Sequence, residues 1–147
     1  MPSTRRKRRV VEATRDISEF IPKLRAALKG KVSAAAEGVV FHAPCSLQHA
    51  QQIKGAIESF LQELGVRMLP HRDGHLCCGS AGTYSILQPQ ISEQLRDRMV
   101  AALSAPGPEF ILSANVGCIM QLGGAAKVPV RHWVEWMAEH LPASQSG

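Results

Sequence analysis

Val39-Val40-Phe41-His42-Ala43-Pro44-Cys45-Ser46-Leu47 opens with three consecutive apolar residues and ends on a cysteine. A short unbroken apolar run suits a strand covered on both faces, the condition of a parallel strand inside an α/β sheet. Helical spacing follows. Ile53, Ile57, Phe60, Leu61 and Leu64 share one stripe of a helix expected over residues 47–64, which Gly65 closes. The rhythm then repeats. Residues 66–69 form a second strand candidate, stopped by Pro70, and a glycine-punctuated loop over 73–82 leads into a helix over 84–103, interrupted near Pro89. Phe110-Ile111-Leu112 is the third strand, and a helical turn around Cys118 runs to Gly123-Gly124. Residues 128–130 read as a fourth, edge strand, because Pro129 cannot donate inside a central ladder. A last helix over 132–141 is expected to bury Trp133, Met137 and Leu141.

Outward from this unit the chain changes character. Residues 1–9 read as a disordered basic head and 10–37 as a linker region. Its helix carries Val10, Val11, Ile17, Phe20, Ile21, Leu24 and Leu28 at helical spacing, and Gly30 closes it. Residues 38–142 form the folded domain and 143–147 a polar tail. The expected fold class is α/β: a three-layer, mainly parallel sheet of about four strands, helices on both faces, and a helix in front.

Charge divides along the same line. Residues 1–31 hold ten Lys/Arg against three Asp/Glu, whereas the rest hold seven against nine. The basic character therefore belongs to the head, which has the charge to touch an anionic membrane as a peripheral contact. No aromatic residue interleaves with the run Arg5-Arg6-Lys7-Arg8-Arg9, so nucleic-acid binding is not expected. No apolar stretch follows the basic run as an export signal requires, so the expected location is cytoplasmic, in peripheral contact with the inner membrane at most. Aromatics make up 5% of the chain, which predicts a core mostly of aliphatic residues and alanine.

The four cysteines fall at one place in this rhythm. Cys45 follows the first strand, Cys77 and Cys78 lie in the loop after the second candidate, and Cys118 follows the third. Parallel strands point the same way, so these loops leave the sheet along its carboxyl edge, where open α/β sheets hold ligands. Reduced thiols converging there suit a metal. Helix starts near the cysteines favour thiolate, and Gly79, Gly82 and Gly117 let backbone approach closely. An adjacent Cys-Cys pair is a strained disulfide, which ranks a thiol-redox role for Cys77 and Cys78 below metal binding. Among the nearby histidines, His42 and His75 are the candidates for a supporting position or a substitute ligand.

At these residues the chain resembles the cysteine-rich CCG domain of heterodisulfide-reductase-like proteins. The matching pattern is Cys45, 31 residues, Cys77-Cys78-Gly79, 38 residues, and Cys118. His42-Ala43-Pro44-Cys45-Ser46-Leu47-Gln48-His49 and Cys77-Cys78-Gly79-Ser80-Ala81-Gly82-Thr83-Tyr84 are more specific. With Ala114-Asn115-Val116-Gly117-Cys118 and Pro129-Val130-Arg131-His132-Trp133, they look like the C-terminal part of the glycolate oxidase (glycolate dehydrogenase) iron–sulfur subunit family. The resemblance implies an iron–sulfur electron-transfer subunit of a glycolate or 2-hydroxy-acid oxidising complex. Cys45, Cys77, Cys78 and Cys118 would hold a [4Fe–4S]-type cluster, with no catalytic residue in this chain and flavin in partner subunits. The alternative is a structural zinc site in a partner-docking module. Two departures stand out. The family usually ends in Cys-x-x-Cys, where this chain has Gln121, and its ferredoxin-like N-terminal cysteine runs are missing here. The expectation is a C-terminal fragment or split form that needs the missing N-terminal ferredoxin-like domain as a partner.

Overall fold

The computed structural model describes residues 4–32 and 38–141. The expected tail over 143–147 and residues 33–37 of the linker region lie outside the described residues. Three parallel strands form the sheet in the order β1 (Val39–His42), β2 (Phe110–Ser113), β3 (Val130–His132). The register pairs Val40 with Ile111, His42 with Ser113, and Ser113 with His132. The α/β class with a parallel sheet, helices on both faces and a helix in front is as the sequence implies.

The second strand candidate, 66–69, shrinks to a single bridge. Val39 donates to the Arg67 carbonyl at 2.9 Å and accepts from Leu69 N–H at 2.8 Å, on the outer side of β1. Pro70 then supplies no donor, and the ladder stops. At the opposite border β3 has three residues and begins directly after Pro129.

The helix expected over 47–64 divides in two. A wide, π-type turn covers Ser46–Ala50, and α3 begins only at Ala56–Glu63. Gln52 at φ 58° and Gly55 at φ 70° make the break, and Gly55 takes the left-handed conformation at little cost. Downstream, α4 (Tyr84–Leu87) and α5 (Pro89–Ser104) meet at the expected break before Pro89. Then α6 (Val116–Gly123) and α7 (Trp133–Glu139) complete the domain.

The front of the chain also differs from its reading. A helix, α1 (Thr4–Ala13), occupies most of the segment expected to be a disordered head. It buries no residue and is held locally, for instance by the exposed pair Arg8–Glu12 at 3.0 Å, one turn apart. The helix expected over 10–28 is cut at Asp16, whose carboxylate accepts from Ser18 N–H at 2.9 Å while Glu19 accepts from Asp16 N–H at 2.8 Å. That reciprocal cap starts a 3₁₀ turn over Ile17–Phe20 and then α2 (Ile21–Leu28), with Pro22 in its first turn.

Alternation along the strands splits the core in two. Val39, Phe41 and Leu112 face Ile21 of α2, Ile57, Phe60 and Leu61 of α3, and Trp133, Trp136 and Met137 of α7. Val40 and Ile111 face Met99 and Leu103 of α5 and Leu122 of α6, together with Cys78 and Cys118. The core is mostly aliphatic, as expected, and the first face is where the exceptions lie. The few aromatics gather there, with Phe60 edge-on to Trp133 at 6.1 Å and Phe110 to Trp136 at 6.3 Å.

Candidate metal centre

His42 and Ser113 end the two longest strands, on the face that carries Cys78 and Cys118. Both are buried, in strands whose other inward positions are apolar. From their ends the chain enters the loops that hold the cysteines. Cys45 stands immediately before the π-type turn, and Cys118 is third in α6, where its N–H is capped by Asn115 Oδ1 at 3.2 Å. Cys77 and Cys78 lie in the loop ahead of α4.

Side-chain staples hold the three loops together. Gln48 donates through Nε2 to the carbonyls of Ala43 (2.7 Å) and Gly74 (2.9 Å), joining the loop of Cys45 to that of Cys77. Gln121 Nε2 donates to Ser92 Oγ at 2.9 Å, and Ser92 Oγ donates to the Gly79 carbonyl at 2.9 Å. That relay braces the turn after Cys78 from both α5 and α6. Gly79 sits at φ 89°, where a Cβ would also collide with the Ser92 carbonyl, so glycine is required on two counts. Gly117 lies against Ser80 Oγ, where a Cβ would come within 3.0 Å, bringing the third loop onto the second.

All four thiols interact. The free thiol of Cys45 acts on that of Cys77, and the free thiol of Cys118 on that of Cys78, so each member of the adjacent pair has its neighbour on a different loop. The Cys118 thiol, donating to the Cys78 sulfur, brings Cys78 down to about 6 against the opposing pull of burial, and Ser80 N–H assists. Cys118 is pushed far above the ordinary thiol range because its proton is held in that bond, and burial adds to this. Burial also raises Cys45, with the neighbouring Cys77 sulfur acting in the same direction. A thiol that gives up its proton more readily, as Cys78 does, suits a metal site, whose ligands bind as thiolates and release protons.

His42 is the nitrogen in this group. A ring nitrogen of His42 and the sulfurs of Cys78 and Cys118 all lie within 4.8 Å of one another. Burial, reinforced by nearby His71, lowers its pKa to about 4, which keeps the ring neutral. Its Nδ1 is 3.2 Å from Ser113 Oγ, whereas its Nε2 is buried without a hydrogen-bond partner among the described residues. Two other buried nitrogens share that condition, the indole Nε1 atoms of Trp133 and Trp136. An indole N–H only donates and ligates no metal. The donor set of thiols with a neutral imidazole fits an iron–sulfur cluster or zinc.

The other histidine candidate is placed differently: His75 is exposed on its loop and is not part of this group. Ser113 escaped the sequence reading, which ended the third strand at Leu112. The available signal was a polar residue closing an apolar strand at the carboxyl edge.

Comparison with known proteins matches residues 39–123 to a family described as CCG: Cysteine-rich domain, a span holding all four cysteines and His42. The chain belongs to the CCG cysteine-rich domain family. Among similar proteins, the glycolate oxidase iron–sulfur subunit of Escherichia coli (strain K12) is 41% identical over 137 residues. That alignment takes in 91% of this CCG chain and 32% of the relative. Lactate utilization protein A of Anoxybacillus flavithermus is 30% identical over 121 residues, covering 81% of this chain and 50% of the relative. Its counterpart in Exiguobacterium sp. is 33% identical over 85 residues, covering 57% and 35%. This CCG chain thus spans a third to a half of the length of these relatives.

Proposed function

We propose that this CCG domain is the iron–sulfur electron-transfer element of a complex that oxidises glycolate or a similar 2-hydroxy acid. Cys45, Cys77, Cys78 and Cys118 would hold one [4Fe–4S]-type cluster, which when bound supplies reversible one-electron chemistry. The observation that carries the reading is the convergence of the three cysteine loops at the carboxyl edge of the sheet, tied together through Gln48, Ser92 and Gln121, with the Cys78 and Cys118 sulfurs within 4.8 Å of each other. The names of the relatives, a glycolate oxidase iron–sulfur subunit and lactate utilization proteins, support the setting.

The chain's own residues hold, shield and tune. Gly79 N–H donates to Cys77 Sγ at 3.4 Å, and Ser80 N–H to Cys78. Such donors stabilise negative charge on sulfur and so raise a reduction potential. Val40, Ile111, Met99 and Leu122 close the site from beneath and keep water away from Cys78 and Cys118. Hydride abstraction from the hydroxy acid belongs to flavin-bearing partner subunits, and onward transfer to a ferredoxin-like cluster unit. No helix among the described residues is long and apolar enough to cross a membrane. We place the chain in the cytoplasm, with the basic face of α1 as its contact to the anionic inner-membrane surface.

A second reading has a specific observation behind it. The mixed trio His42, Cys78 and Cys118 is also a zinc-type donor set. Anaerobic reconstitution with iron and sulfide, followed by absorbance and metal analysis, separates the two. The cluster reading expects a brown protein whose broad visible absorption bleaches on reduction. A colourless protein that keeps stoichiometric zinc and refuses iron would leave a structural, partner-docking module instead.

A further inference from the structure

We propose that Ser113 fixes the tautomer of His42 so that His42 Nε2 is a ligand of the metal centre beside Cys78 and Cys118. The inference rests on the reading of this edge as a metal centre, and sets a nitrogen donor from the sheet itself beside the sulfurs of Cys78 and Cys118.

The argument begins with one hydroxyl proton. Ser113 Oγ donates to the His42 backbone carbonyl at 3.0 Å. With its proton committed there, Oγ faces His42 Nδ1 at 3.2 Å as an acceptor, and Nδ1 must carry the ring proton. A neutral imidazole protonated on Nδ1 has its lone pair on Nε2. The two residues are direct register partners at the ends of β1 and β2, so this contact is set by the sheet and not by a mobile loop.

That lone pair has no hydrogen-bond partner among the described residues, although His42 is 1% exposed. A buried acceptor left alone is unfavourable unless something else takes its electrons. What shares its surroundings is the pair of sulfurs, which lie within 4.8 Å of a ring nitrogen of His42 and of each other. Two ligands of one ion bound at about 2.0–2.3 Å stand within about twice that distance. A ligating histidine ordinarily gives its other N–H to an oxygen that fixes the ring, which is the part Ser113 plays here.

On α6, Gln121 offers no further thiol, and its amide is engaged with Ser92. A neutral imidazole added in place of an anionic thiolate leaves the centre less negative, as in the two-histidine clusters of higher potential.

The test uses the full chain labelled with ¹⁵N-histidine, and Co²⁺ as the probe. In the metal-free chain, long-range ¹H–¹⁵N correlation should show His42, assigned by its absence in His42→Gln, with the proton on Nδ1. On adding Co²⁺ anaerobically, thiolate-to-metal absorption reports the cysteines and pulsed EPR ¹⁵N coupling reports the imidazole. Both should appear in the wild type, and the coupling should vanish in His42→Gln. Ser113→Ala should weaken Co²⁺ affinity roughly 10–100-fold and lose the fixed tautomer, and Ser113→Thr should restore both. Thiolate absorption without nitrogen coupling in the wild type overturns the His42 assignment and leaves the thiolate centre standing. A proton found on Nε2 in the metal-free wild type overturns the role of Ser113. No Co²⁺ uptake at all removes both the inference and the metal-centre reading. The wild-type measurements decide these points even where a variant fails to fold.

Discussion

On one face of the sheet, Val39, Phe41 and Leu112 meet Phe60, Trp133 and Trp136; on the other, Val40 and Ile111 meet Met99, Leu103, Leu122 and two cysteines. The first face is closed by large rings in edge-to-face contact and runs apolar along the strands. The second gives way at the carboxyl end to His42, Ser113 and sulfur. The difference separates two duties within one small domain. The aromatic side supplies hydrophobic burial that needs no metal. The thiol side keeps its polar groups and its adaptable loops where a metal can be gathered.

The strongest way to break this comparison is to remove a thiol. Cys118→Ser should lose most of the bound iron or zinc, measured by metal analysis on anaerobically prepared protein, with the aromatic face still folded by near-ultraviolet circular dichroism. Unchanged metal content would move the site elsewhere. Next comes the opposite face. Trp133→Ala removes a fully buried ring and should cost about 3–5 kcal/mol in denaturant unfolding. The cost should be the same with and without metal, and a strong metal dependence would mean that the two faces are not separate.

How much of this was open to sequence reasoning depends on the kind of interaction. The carboxyl-edge position of Cys45 and Cys118 follows from strand-then-loop order, because parallel strands must send their loops to one side. The breaks at Pro89 and after Pro70 follow from missing backbone donors. Gly55 lay inside a helical pattern whose stripe of isoleucines outweighed it, so the split before α3 was missed. Trp136 is fully buried yet was absent from the expected face of α7. The pairing of Cys45 with Cys77 and of Cys78 with Cys118 is a property of three loops held by Gln48, Ser92 and Gln121. No linear pattern encodes contacts between residues so far apart.

Gly79→Ala sharpens the comparison at lower cost. A left-handed alanine pressed on the Ser92 carbonyl should destabilise by about 1–3 kcal/mol and reduce metal uptake together, because the strain falls on the turn beside Cys78. A variant that loses stability but binds metal normally would detach the turn from the site. The faintest effect belongs to Glu58 of α3, whose pKa is raised by burial, with its own backbone N–H and His71 opposing. A carboxyl that holds its proton more tightly folded than unfolded lowers stability as pH rises from its unfolded value through its folded one. Glu58→Gln should therefore match the wild type at acid pH and be slightly more stable above that window. Unfolding midpoints across pH read this directly, and a wild-type advantage near neutrality would reverse the sign.

The two borders of the sheet bear on how the protein behaves in concentrated solution. Beside β1 lies a segment whose backbone hydrogen bonds to the strand go to Val39 and which Pro70 ends, and β3 is three residues entered from Pro129. Among the described residues, neither border offers the long row of free donors and acceptors on which a neighbouring molecule could lay down a strand. Stripping the metal should loosen loops at the sheet's end without exposing such a row. The metal-free chain should therefore lose order locally while resisting the strand-by-strand growth that leads to fibrils.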